Sequence, residues 1–153
     1  MATYHEAPHY ATGPLRLFLA GGISGCPDWQ SELSLSLADL PNLEIYNPRR
    51  KNFDVTCAGE AYNQIRWEFD HLERADLIVF WFPQETIQPI ALFELGRWSM
   101  TRTPIVLGVH PQYPRSLDIA AQYALVRPSA SIYPSLEWLA DETREMINFL
   151  STY

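Results

Sequence analysis

Lysine is nearly missing from this 153-residue sequence: Lys51 stands alone among 11 basic residues, against 18 acidic ones and a net charge of −7. Such a balance cannot blanket a polyphosphate backbone, which excludes nucleic acid and anionic membrane as natural partners. Cysteine is equally sparse. Cys26 and Cys57 share no CxxC spacing and have no disulfide framework to join, so both read as reduced, small hydrophobic residues. Long apolar runs are absent too, since the longest, Leu77 to Phe82, stops at Pro83, far short of the roughly 20 residues a membrane span needs. Met1–Gly13 lacks an apolar stretch behind basic residues and does not read as a signal peptide, so a soluble, cytoplasmic protein is expected. What is present is apolar: 47% of the residues are hydrophobic and 19% charged, which suits one compact domain with a sizeable core.

The N-terminal stretch 1–14 is polar and aperiodic and is expected to be flexible. From Leu15 to the end, at residue 153, the pattern is that of a single domain. Leu15–Ala20 is a short apolar run closed by Gly21-Gly22, a buried strand ended by a turn. Pro27-Asp28 offers a helix start, with Trp29, Leu33 and Leu37 along one face. Leu43–Tyr46 predicts a second strand, Glu60–Ala75 a long helix and Asp76–Phe82 a strand buried on both faces. Pro89–Met100 follows as a helix with proline in its first turn, then a strand at Pro104–Val109 and a short helix at Ser116–Leu125. Leu125–Arg127 is expected as a fifth, edge strand and Ser135–Leu150 as a closing amphipathic helix. This alternation predicts an α/β fold, a doubly wound, mostly parallel five-stranded sheet with helices on both faces, of flavodoxin-like type. Ligands bind such sheets beyond the carboxyl ends of the strands, so the functional loops are expected at Gly21–Trp29, Asn47–Asp54, Pro83–Gln88 and His110–Ser116.

Gly21-Gly-Ile-Ser-Gly25 matches neither GxGxxG nor GxxxxGK[ST], so the dinucleotide and P-loop readings fail. It is a tight turn, or a place where backbone N–H groups approach a sugar or small anion. On the helix Glu60–Ala75, the positions Ala61, Ile65, Glu68, Leu72 and Ala75 form one stripe, which turns Glu68 inward. Asp70 lies about 200° away, on the polar face. An inward carboxylate is costly unless paired or used, and Arg49, Arg50 and Arg97 are candidate ion-pair partners. Glu94 sits between Ile90 and Trp98 on an almost wholly apolar helix whose start lies at the ligand-binding edge. Two inward carboxylates on successive helices suit acid and nucleophile work at a glycosidic bond. Trp29, Trp81, Phe82 and Trp98 are core or base-stacking aromatics. The histidines His5, His9, His71 and His110 are too scattered for a metal site, and no nucleophile-elbow serine is present.

The segments Leu17–Gln30, Asn47–Arg50, Trp67–Phe80 and Pro89–Gly96, the last carrying Glu94-Leu-Gly96, resemble the nucleoside 2-deoxyribosyltransferase-like family in sequence and order. The resemblance implies that Glu94 attacks the anomeric carbon of a nucleoside. It also implies that the acidic residue eight positions before Asp76, which is Glu68, assists at the base or sugar, with Asp70 as the alternative. The substrate-binding set it implies draws on Gly21, Gly22, Ser24, Asp28 and Trp29 of the first loop, Asn47, Arg49 and Arg50 of the second, and Gln88. Two departures stand out. Gln88 occupies the position of an Asp that contacts the sugar in the better-known transferases. The first loop has only Ser24 where relatives acting on nucleoside monophosphates surround a 5′-phosphate with basic or hydroxyl residues, leaving Arg49 and Arg50 to supply charge. The implied activity is deoxyribosyl transfer without cofactor or metal; hydrolysis of a nucleoside or its monophosphate is the alternative, and a non-catalytic nucleoside or nucleotide sensor is the reading of another class. A homo-oligomer, at least a dimer, is also implied, because family members complete their pockets from a neighbouring subunit. The 20 aromatic residues support it, with Pro89–Met100 and His110–Arg115 as expected contact surfaces.

Overall fold

A computed structural model describes residues 1–7, 14–50 and 58–153. Cys57 and the far part of the Asn47–Asp54 loop lie outside the described residues. The six strands β1 (Thr3–Glu6), β2 (Leu15–Gly21), β3 (Leu43–Asn47), β4 (Leu77–Phe82), β5 (Ile105–Val109) and β6 (Ile132–Tyr133) form one sheet. Its order is β1-β3-β2-β4-β5-β6, and every pair is parallel. The helices are α1 (Trp29–Ser36), α2 (Ala58–Arg74), α3 (Pro89–Ser99), α4 (Ser116–Val126) and α5 (Leu136–Leu150).

β4 explains the layering. All six of its residues are buried, and their alternation feeds two cores. Ile78, Phe80 and Phe82 pack with Trp67 and Leu72 of α2, Leu95 and Trp98 of α3, and Ile119 and Tyr123 of α4. Leu77, Val79 and Trp81 pack with Trp29 and Leu33 of α1 and with Leu139 and Ile147 of α5. The start of β4 is fixed by Asp76, whose carboxylate accepts two 2.9 Å bonds from the Arg16 guanidinium and one of 2.8 Å from the Arg16 backbone N–H.

Two elements differ from the sequence expectation. Within the segment 1–14, expected to be flexible, Thr3–Glu6 form an edge strand paired with Glu44–Asn47 of β3. Hydrophobic patterning cannot announce such a strand, because it is held by backbone pairing and by polar contacts such as His5 with Glu44. Leu125–Arg127 is not a strand. Helix α4 runs to Val126, the Arg127 N–H donates to Tyr123 O at 2.7 Å, and the edge strand is β6 instead. Arg127 caps the end of α3, where its guanidinium donates to the carbonyls of Trp98, Ser99, Thr101 and Thr103.

The sheet reverses its winding between β2 and β4, and there the two strands meet most closely. Gly21 has φ +139°, and a Cβ on it would stand 2.0 Å from the Trp81 carbonyl oxygen. Gly21→Ala is therefore expected to cost about 3 kcal/mol or more, read as a lower urea midpoint or as failure to fold.

Candidate active site

A cleft of about 1110 Å³ opens at this reversal, between α2 and α3. The end of β2 and the loop after it contribute Gly21, Ile23 and Ser24, and the loop after β3 contributes Pro48 and Arg50. Gln64, Glu68 and Phe69 enter from α2, and Gln88, Phe93, Glu94 and Arg97 from the start and body of α3. Parallel connections place all of these beyond the carboxyl ends of the strands.

Helical spacing delivers Glu68, one turn after Gln64 and on the same face. Its Oε1 accepts a 2.8 Å hydrogen bond from Gln64 Nε2, and among the described residues no arginine pairs with it. Burial pushes the Glu68 carboxyl above its ordinary value, with the Gln64 N–H working against the rise. Glu94, in the second turn of α3, is pushed up to about 8, by burial first and then by the charge of Glu68, while Arg97 opposes both. Arg97 itself lies over the rings of Phe93 at 4.8 Å and Phe69 at 5.5 Å, bridging the two helices that carry the carboxylates.

Gln88 introduces α3 in a left-handed conformation, φ 56° and ψ 62°, ahead of Pro89. A non-glycine residue is strained there, and the amide anchors it by donating to Pro83 O at 2.9 Å and Thr86 O at 3.0 Å. Among the described residues its Oε1 is buried without a donor.

The remaining sequence candidates divide. Gly21, Ser24, Arg50 and Gln88 line the cleft with Glu68 and Glu94, whereas Gly22, Asp28, Trp29, Asn47, Arg49 and Asp70 do not. Arg49 is occupied in holding the first loop: its guanidinium donates to Gln30 Oε1 and to the carbonyls of Ile23, Cys26 and Pro27, and Asp28 lies 3.4 Å away. Asn47 is buried between the Tyr4 hydroxyl and the Arg49 N–H. Trp29 is a core residue whose Nε1 donates to Gly22 O at 2.8 Å, and Asp70 pairs with Arg66 at 3.1 Å along α2. Gln64, Phe69 and Phe93 were not singled out from the sequence. The i, i+4 relation of Gln64 to Glu68 was the available signal, but a polar residue at the edge of a stripe looks like ordinary helix surface. Among the described residues no group of three or more His, Cys, Asp or Glu side chains gathers as a metal site, and no helix is long and apolar enough to cross a membrane.

The family profile described as "nucleoside 2-deoxyribosyltransferase like" matches residues 14–113 of the chain. The chain belongs to this family. The matched span of this nucleoside 2-deoxyribosyltransferase-like protein contains every residue of the cleft named above and ends before α4. Among curated proteins none matches it. A solved structure, titled as that of a conserved protein from Enterococcus faecalis V583, superposes with a TM-score of 0.64 at 15% identity, covering 86% of this chain and 98% of that one. At that identity the likeness concerns the fold.

The raised Glu94 carboxyl has a stability consequence. The folded protein holds this proton up to pH about 8, whereas the unfolded chain releases it near the ordinary value of 4.5, so stability falls as pH rises through that window. Glu94→Gln removes this contribution. The variant's melting temperature is expected to exceed the wild-type value by a margin that grows from about pH 5 to about pH 8, as checked by scanning calorimetry across that range.

Proposed function

We propose that this protein is an N-glycosyl transferase acting on nucleosides, with Glu94 as nucleophile and Glu68 as proton donor. The observation that carries the reading is the pair of carboxyls in one largely apolar cleft, each held above its ordinary pKa, in a chain of the deoxyribosyltransferase-like family. A Glu94 carboxylate oxygen bonds to C1′ as the C1′–N bond breaks, and its electron pair leaves on the base nitrogen, which takes the Glu68 proton. An incoming base nitrogen then attacks C1′ from the vacated face, the glycosyl ester to Glu94 breaks, and the incoming N–H proton returns to Glu68. Two inversions give net retention.

The two carboxyls titrate as a pair. With two protons the pair has no nucleophile, with none it has no acid, and with one it is competent. The last proton leaves the pair near the Glu94 value of about 8, so kcat/KM is expected to fall above that pH. Gln88 lines the cleft with its N–H groups committed to Pro83 and Thr86 and its carbonyl oxygen buried, so it shapes the sugar end of the cleft. Ser24 and Arg50, which line the same cleft, are the groups suited to the 5′ end of the sugar.

The deciding experiment is chromatography of the protein with each deoxynucleoside, with and without a second free base. Base exchange is the expected outcome; free base alone makes it a hydrolase, and tight binding without turnover makes it a sensor. Glu94→Ala is expected to lower turnover by several orders of magnitude with binding largely kept, and retention of more than about a tenth of the rate would overturn the assignment.

Assembly belongs to the same reading. Tyr62 (67% exposed), Ile65 (63%), Ile90 (65%) and Phe93 (63%) form an uncovered apolar rim around the cleft on α2 and α3, the kind of patch that a second copy of the chain would cover. In the other loop expected at the contact, Tyr113 is buried and donates its hydroxyl to Ile87 O, while Pro111, Gln112, Pro114 and Arg115 are exposed. Light scattering is expected to show a dimer or larger, and Ile65→Arg to weaken assembly; a fully active particle of 17.6 kDa would refute a shared pocket.

A further inference from the structure

Gln64 stands where the second loop, the helix α2 and the proton donor meet. Its Nε2 donates at 2.8 Å to the Pro48 carbonyl and at 2.8 Å to Glu68 Oε1, so both N–H bonds of the amide are used. Among the described residues its own Oε1 is buried without a donor. That arrangement has only one orientation. The Pro48 carbonyl can only accept, so a flipped amide would set oxygen against oxygen there and a second time at the Glu68 carboxylate. A residue serving only to fill space gains nothing from a buried amide; a bridge from a fixed backbone carbonyl to a carboxyl of the cleft explains why an amide is there.

The geometry points to Gln64 as the positioning residue of Glu68: by keeping Oε1 an acceptor, it leaves Oε2 as the only oxygen that can carry the proton delivered to the departing base. This inference rests on the reading of Glu68 as proton donor. The bridge acts on the ionised form as well, because an N–H donated to a carboxylate favours the charged state. Other charges around Glu68 are Glu94 and Arg97 from α3, Arg50 from the loop after β3, and Arg66 and Asp70 along α2 itself. The β2 residues Phe18 and Ala20 that close the cleft from the sheet are apolar.

The test uses Gln64→Met, which keeps the length and removes both hydrogen bonds, and Gln64→Glu, which keeps the shape and replaces the donor by an acceptor. Carbon-13 carboxyl NMR of the full chain, with the Glu68 signal assigned from its loss in Glu68→Gln, reads the titration without any substrate. The Glu68 midpoint is expected to rise by about one pH unit in Gln64→Met and further in Gln64→Glu, as loss of a charge-assisted bond requires. In turnover, kcat is expected to fall at least tenfold in both variants with KM little changed, and the high-pH limb of kcat/KM to move upward. An unmoved Glu68 midpoint in the folded variants overturns the proposal even if the protein proves to be a transferase. A moved midpoint in a protein that turns over no nucleoside would uphold the bridge and defeat the functional reading. If Gln64→Met does not fold, Gln64→Glu carries the same measurement.

Discussion

Strands β2 and β4 are neighbours in the sheet although some 60 residues separate Leu17 from its partner Leu77. Their pairing is the contact on which the site depends. Because β3 was laid down on one side of β2 and β4 on the other, α1 packs on one face and α2 to α4 on the opposite face. The connections leaving β2 and β4 therefore diverge, and a crevice is left between them. Arg16 and Asp76 pin the two strands at their beginnings, and glycine at position 21 lets them touch at their ends. A slip of one residue would turn Phe80 and Trp81 to the wrong faces and close the crevice with it.

Into that crevice two helices bring a carboxyl each, and the energetic tension of the site comes from there. Burying both as anions among Ile90, Phe93 and Phe69 would be expensive, so the cleft retains a proton that open solvent would remove. The surroundings temper the two carboxyls differently. Glu68 receives an N–H from Gln64, a fixed dipole; Glu94 has the Arg97 cation one turn on, itself held across the helix gap by two aromatic rings. One of the rings that hold Arg97, that of Phe93, belongs to the apolar rim around the cleft, so electrostatics and surface chemistry converge on one opening.

Much of the charge near the cleft serves architecture. Arg49 looks from its loop position like an anion ligand, yet three carbonyls of the first loop, the Gln30 side chain of α1 and Asp28 absorb its guanidinium. Buried Asn47 and core Trp29 likewise spend their polar atoms on neighbouring backbone and side chains. This bracing gives the Gly21–Trp29 turn a fixed shape although glycines occupy three of its first five positions.

The alternation of apolar runs and amphipathic stripes determined the doubly wound α/β class, the central place of Leu77–Phe82 and the inward turn of Glu68, because those properties depend on neighbours one to four residues apart. Glu94 was legible through its place on an apolar helix and its Glu-Leu-Gly setting. The edge strand Thr3–Glu6 was not, since backbone pairing to β3 leaves no hydrophobic period, and Leu125–Arg127 reads equally as strand or helix end until Arg127 is seen to cap α3. Tertiary structure alone decided which polar residues line the cleft and which are consumed in holding it. Arg49 and Arg50 are adjacent in the chain, but only Arg50 lines the cleft; Gln64 gains its meaning from Pro48, 16 residues away. Those outcomes depend on which acceptors the fold brings within hydrogen-bond reach, and chain spacing carries no record of them.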